Sequence, residues 1–136
     1  LVAITSIYGV ELLEDNVERC KERLFKIYLD WYNSISRGQI NEKLFNCVQF
    51  VLSKNIIHGD ALTLKAIGES EEPIVFSEWS FTQNMLKRRC FAFDDLLKNE
   101  AIKETPLFSD LGDDVILPRT IEEFPLVHYL ELADNA

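Results

Sequence analysis

The sequence predicts an all-α fold, a bundle of four or five helices over residues 1–103, followed by an irregular acidic arm over residues 104–136. Apolar residues recur at steps of three and four along much of the first hundred positions, which is the period of an amphipathic helix. No proline precedes Pro73, and no stretch alternates between apolar and polar residues well enough to require a sheet. The length of 136 residues corresponds to one domain.

The first predicted helix runs from about Val10 to Ile35 and has the strongest periodicity in the chain. Charged residues fill its other faces, with acids leading and bases following, as the helix dipole favours. Trp31 belongs to the apolar row, so we expect it in the core rather than at a binding surface. The row consists of Leu13, Val17, Cys20, Leu24, Ile27, Tyr28, Trp31 and Ile35.

Two further helices are predicted before the first proline. One covers about Asn41 to Lys54, where Asn41 is a plausible N-cap. The next covers Asp60 to Ile67, where Asp60 can cap the start and Gly68 stands at the C′ position. The inward row of the earlier helix is Ile40, Leu44, Cys47, Val48, Val51 and Leu52.

A fourth helix is predicted to begin at Ser77, as its N-cap, and to reach about Phe91. It follows a polar loop that ends at Pro73 and a short apolar run that begins at Ile74. Whether the chain then continues this helix or starts a fifth is left open by the pattern. The buried row of this helix is predicted to be Trp79, Met85, Leu86, Cys90, Phe93 and Leu97.

The arm supplies most of the net charge of −9, since it contains eight acidic residues and one arginine. Three prolines punctuate it, yet it keeps apolar clusters that an unpacked tail would not usually carry. Its acidity favours a basic partner or serves solubility. We expect the arm to pack on the bundle or on a partner, and its candidate contacts are Phe124, Val127 and Tyr129.

Composition and cysteine usage place the chain in a reducing compartment, nuclear or cytoplasmic. Cys20, Cys47 and Cys90 form an odd set without metal-site spacing, so we interpret them as small apolar core residues. No apolar stretch is long enough to span a bilayer. Motifs of hydrolases, metalloproteases and nucleotide-binding loops are missing, and the two histidines have no motif around them. We therefore predict no catalytic residues, no metal site and no cofactor.

The dense basic cluster Lys87, Arg88 and Arg89 has two interpretations. On a helix these three would fan over about 200°. They would then form a solvated face or, less favourably, contact RNA phosphates. Trp79 follows a loop, and it is a candidate anchor for a partner as well as a candidate core residue.

The run from Asp60 to Ile74 resembles the central segment of the second-step pre-mRNA splicing factor family called Prp-eighteen. In that family a helix ending in Ala-Ile-Gly is followed, at the same spacing, by Pro-Ile. The resemblance covers about residues 20–92 and implies a five-helix bundle of the type also found in the steroid receptor RNA activator protein and the outer COPII coat. The matching positions are Asp60, Ala61, Ala66, Ile67, Gly68, Pro73 and Ile74.

These observations favour a non-catalytic protein-interaction domain in a larger assembly, with a ribonucleoprotein such as the spliceosome as one setting. The expected partners are other protein subunits, with RNA contacted through the complex. The predicted contacts are Gly68, Pro73, Ile74 and Trp79, together with the three residues of the arm. The alternatives are a scaffold or coat module with no link to RNA and, less favoured, a small helical enzyme.

Overall fold

Helices and two sheets share the chain, so the predicted all-α bundle is wrong. The structure is a computed structural model, and it describes residues 1–68, 72–97 and 120–135. The helices are α1 (Val2–Thr5), α2 (Glu14–Ser36) and α3 (Glu42–Asn55), and residues 93–97 are also helical. The strands are β1 (Gly9–Glu11), β2 (Ile56–Asp60), β3 (Lys65–Ala66), β4 (Val75–Thr82), β5 (Met85–Ala92), β6 (Thr120–Glu123) and β7 (Val127–His128).

The two helices predicted from the strongest periodicity are present as α2 and α3, but the first begins at Glu14 rather than at Val10, because Val10 belongs to strand β1. The backbone N–H of Leu44 donates to the side-chain oxygen of Asn41 at 3.1 Å, so Asn41 is the N-cap of α3 as predicted. At the C-terminal end of α2, Arg37 adopts a left-handed conformation with φ 54°, and Gly38 follows with φ 83°. These two residues reverse the chain and lay α3 against α2.

The first sheet replaces the third predicted helix. Strand β2 pairs in parallel with β1 and antiparallel with β3, so most of the run from Ile56 to Ala66 is a hairpin. Asp60 caps the turn of this hairpin, because its side-chain oxygen accepts the backbone N–H of Leu62 at 2.8 Å. The β-branched pair Ile56 and Ile57 favours an extended backbone just where α3 ends.

The second sheet replaces the fourth predicted helix. Strands β4 and β5 form a long antiparallel hairpin whose register places Trp79 opposite Arg88. Gln83 takes the left-handed turn position with φ 56°. Ser77, the predicted N-cap, lies buried inside β4. Only a short part of this stretch alternates as a sheet with two different faces would require: Trp79 and Phe81 of β4 lie between the polar residues Glu78, Ser80 and Thr82.

Part of the predicted arm belongs to this second sheet. Strands β6 and β7 both pair antiparallel with β5, and a 3₁₀ turn over Tyr129–Glu131 contacts α3. Residues 104–119 of the arm lie outside the described residues. The main core is centred on α3, where Leu44, Cys47, Val48, Val51 and Leu52 are buried as predicted, whereas Ile40 is exposed.

The buried thiol of Cys47 makes the stability of the fold decrease with rising pH in the alkaline range. Burial raises its pKa from 9.0 to about 11, so the folded state favours the protonated thiol. The stability that this preference contributes is complete below about pH 9 and is lost as the pH rises towards 11. Between about pH 8 and about pH 10.5, we expect the wild type to lose about 2 kcal/mol more free energy of unfolding than Cys47→Ala. Urea denaturation across this range measures it, and parallel losses in both proteins would contradict the prediction.

Candidate functional site

The partner-binding residues predicted from the central segment do not form one surface. Ile74 is fully buried, and Trp79 is only 9% exposed, with its indole Nε1 donating to Asn55 Oδ1 at 2.8 Å. Gly68 and Pro73 are exposed. Lys65, which precedes Ala66 in β3, forms a bridge to Pro73.

The three residues predicted from the arm pack on the chain itself. Val127 pairs with Leu86 across the sheet, and Val127 and Tyr129 are partly buried against the main core. The ring of Phe124 lies over the guanidinium of Arg88, 4.4 Å from the ring centre. The structure therefore brings Phe124, Val127 and Arg88 together.

The basic cluster lies on strand β5, so its residues alternate between the two faces of the sheet instead of fanning round a helix. Lys87 is ion-paired with Glu123 at 3.4 Å, and Arg89 is ion-paired with Glu78. Arg88 points to the opposite face, where its Nε donates to Ser77 Oγ at 2.8 Å. The cluster thus contributes two paired cations to one face and a single aromatic-bound cation to the other.

Both histidines take part in hydrogen bonds with the backbone. His58 Nε2 lies 2.9 Å from the carbonyl oxygen of Leu12, which ties β2 to the start of α2. His128 Nδ1 accepts the backbone N–H of Leu130 at 3.2 Å and caps the 3₁₀ turn. Within residues 1–68, 72–97 and 120–135, no group of three or more His, Cys, Asp or Glu side chains could hold a metal ion.

An extended apolar surface lies in a groove between α1 and α2, which we call the α1–α2 groove. It encloses about 460 Å³. Leu1, Val2, Ile4 and Ile7 form one wall, and Leu24, Ile27, Tyr28 and Trp31 of α2 form the other. Soluble monomers rarely expose a large contiguous apolar patch, and such patches commonly mark interaction sites.

Three exposed apolar side chains run along α2, two of them in the wall of this groove and the third, Ile35, one turn beyond it. Ile27, Trp31 and Ile35 are 66%, 52% and 59% exposed, and their spacing of four residues forms one stripe about 12 Å long. The expectation that Trp31 lies in the core is wrong. Helix α3 covers the other apolar face of α2, where Phe45 packs edge-on against Phe25 and Tyr32.

Sequence reasoning missed this stripe because it assigned Ile27, Trp31 and Ile35 to the buried row of α2. At about 100° per residue, the apolar positions from Ile27 to Leu29 cover about 200° of the helix circumference. A helix that packs against one neighbour needs a stripe only about 100° wide. The excess width is the signal that could have indicated a second, uncovered apolar face.

Basic residues flank the stripe along the N-terminal part of α2. Arg19, Arg23 and Lys26 follow steps of four and three, so they form one row beside the stripe, and Asp30 is the next position. We call the first three the basic row. All three are exposed, and none belongs to an ion pair between described residues. The chain is acidic overall, so this local positive charge contrasts with the rest of the surface.

Comparisons with protein-family models, curated proteins and solved structures found no match. The helix that the Prp-eighteen resemblance implies over Asp60 to Ile67 is replaced by the β2–β3 hairpin, although the family assignment itself stays a prediction. Over the part of the chain that the structure describes, no helix is long and apolar enough to cross a membrane. The functional argument therefore depends on the geometry of the surfaces above.

Proposed function

We propose that this chain is a non-enzymatic protein-interaction domain that docks a partner in the α1–α2 groove. The observation that carries the proposal is the exposed stripe of Ile27, Trp31 and Ile35 beside the apolar wall of α1. A partly exposed tryptophan held by its neighbours is a typical anchor in protein interfaces. Tyr28 supports Trp31, with ring centres 5.7 Å apart.

The groove and its rim fit an amphipathic helix with an acidic side. Apolar side chains of such a helix, spaced three or four residues apart, would fill the groove between α1 and α2. Carboxylates on its flank would face Arg19, Arg23 and Lys26, and this charge complementarity would set the orientation and speed association. Direct RNA binding receives no comparable support, because Lys87 and Arg89 are each paired with a glutamate.

Selection from a random peptide-display library on the immobilised protein tests this proposal. We expect the enriched peptides to be acidic, with apolar residues at helical spacing. Trp31→Asp should weaken their binding by about tenfold or more, measured by fluorescence polarisation. Arg23→Gln should chiefly slow association and reduce its dependence on salt.

Leu62→Asp is the matched control. Leu62 is 94% exposed in the turn between β2 and β3, outside the groove, so the same change of an apolar residue to aspartate should leave binding unchanged. Peptides that bind Trp31→Asp as tightly as the wild type would place the docking surface elsewhere. If the wild type forms dimers in sedimentation and Trp31→Asp does not, the occupant is a second copy of the chain instead.

A further inference from the structure

A second concave site, separate from the α1–α2 groove, surrounds the side chain of Arg88. This site, which we call the Arg88 pocket, has a volume of about 120 Å³. Strand β5 provides Arg88 and an apolar wall, helix α3 provides an aromatic ring, and residues 124–135 close the other side. Besides Arg88, its principal lining residues are Phe50, Leu86, Phe124, Val127 and Leu132.

The guanidinium of Arg88 is held in a fixed position by aromatic rings. Its central carbon lies 4.4 Å from the ring centre of Phe124 and 5.6 Å from the centres of both Phe50 and Trp79. Cation–π contacts occupy the flat faces of a guanidinium, and Nε is used by Ser77 Oγ. The two terminal amino groups thus remain for an acceptor, since no carboxylate among the described residues pairs with Arg88.

A second cation lies near this site, although it does not line the pocket. Lys54 Nζ lies 5.4 Å from the centre of the Phe50 ring, the same ring that Arg88 contacts. Lys54 also belongs to no ion pair between described residues. On the other face of the sheet, by contrast, Lys87 and Arg89 are both neutralised by glutamates. A partly buried guanidinium that has no carboxylate partner among the described residues is costly, and a bound anion would offset that cost.

We propose that the Arg88 pocket binds a small monocarboxylate with a short alkyl chain. The planar guanidinium can donate two parallel hydrogen bonds to a carboxylate, which gives geometric selectivity as well as affinity. The alkyl chain would lie against Leu86, Val127 and Leu132. A cavity of about 150 Å³ accommodates the six carbon atoms of benzene, so a pocket of about 120 Å³ suits a carboxylate with no more than about three alkyl carbons. The proposal is independent of docking in the α1–α2 groove.

Titration with isobutyrate, followed by the methyl NMR signals of the intact chain, tests the proposal. We expect saturable shifts confined to Leu86, Val127 and Leu132. Isobutyramide has the same shape without the charge, and it should bind about tenfold more weakly or worse. Equal binding of the amide, or the absence of any saturable shift with isobutyrate, would overturn the proposal without the use of a variant.

Two neighbouring arginines provide the matched variants. Arg88→Met should reduce isobutyrate affinity by about tenfold or more, whereas Arg89→Met, which alters the opposite face of the same strand, should leave it unchanged. An equal loss of isobutyrate affinity in both variants would show that binding depends on the net charge of this region rather than on the Arg88 pocket. If Arg88→Met does not fold, Arg88→Lys is the alternative variant. Lysine keeps the positive charge but lacks the paired N–H donors of the guanidinium, so this variant should bind isobutyrate more weakly than the wild type does.

Discussion

Replacing Asn55 with leucine is expected to lower the free energy of unfolding by about 3–4 kcal/mol. Asn55 is fully buried at the end of α3. Its Nδ2 donates to the carbonyl oxygen of Thr5 at 3.3 Å, with that of Ile4 at 3.5 Å, and its Oδ1 accepts from Trp79 Nε1 at 2.8 Å. Leucine has a similar size but leaves the indole N–H and the α1 carbonyls without these partners. An unsatisfied buried polar group costs about 1–3 kcal/mol.

Chemical denaturation of single and double variants measures this effect. Asn46→Leu, an exposed position on the same helix, should change stability by less than about 0.5 kcal/mol. Trp79→Phe removes the donor, so Asn55→Leu should cost less in that background than in the wild type. We call the hydrogen bonds of Asn55 to Ile4, Thr5 and Trp79 the Asn55 network. If Asn55→Leu is as stable as the wild type, this network is not a main determinant of the fold.

The Asn55 network also bears on the proposed docking surface. Asn55 holds the short helix α1 through its last carbonyl groups, and α1 forms one wall of the α1–α2 groove. A helix of four residues cannot be stable by itself, because helix nucleation alone is unfavourable. Asn55→Leu should therefore weaken peptide binding in the groove as well, even though Asn55 does not line it.

Gly59→Ala is expected to lower the free energy of unfolding by about 2–3 kcal/mol. A Cβ at this position would lie 2.9 Å from Ile74 Cδ1 and 3.1 Å from the carbonyl oxygen of Lys65. The carbonyl belongs to β3, which pairs with β2 at Ala66, so it cannot retreat without disturbing the ladder. Thermal and urea denaturation should both show the loss.

A second substitution tests the cause of this loss. Ile74→Val removes Cδ1, the nearest obstructing atom, and should cost about 1 kcal/mol alone. Combined with Gly59→Ala, it should cost about 1 kcal/mol less than the sum of the two single changes. Gly68→Ala is the control, since a Cβ there meets nothing within 4 Å. Strict additivity would show that the clash with Ile74 is not the origin of the loss.

The helices of this chain could be predicted because their signals are local. The apolar periodicity of α2 and the Asn41 cap of α3 depend on residues within a few positions of one another. The hairpins could not be recognised in the same way. Asp60 and Ser77 are residue types that cap helices and also occupy turns and strands, and here they lie in a turn and a strand.

The two tryptophans illustrate the limit for the candidate sites. Both belong to apolar patterns; the sequence predicted Trp31 in the core and left Trp79 as a candidate for the core and for a partner contact. The structure buries Trp79 and leaves Trp31 exposed, because α3 and the sheet cover Trp79 while no described element covers Trp31. Likewise, Arg88 resembles its two neighbours in the sequence and differs only in which face of β5 it occupies.

By itself, the sequence determined that α2 and α3 are helices, that α3 is a buried apolar element, and that no recognised catalytic motif is present. The tertiary structure alone decided which apolar face of α2 stays exposed, and which cation of β5 enters an aromatic pocket. The physical reason is that periodicity records which residues can share a face, whereas burial and charge pairing depend on what packs against that face from distant parts of the chain.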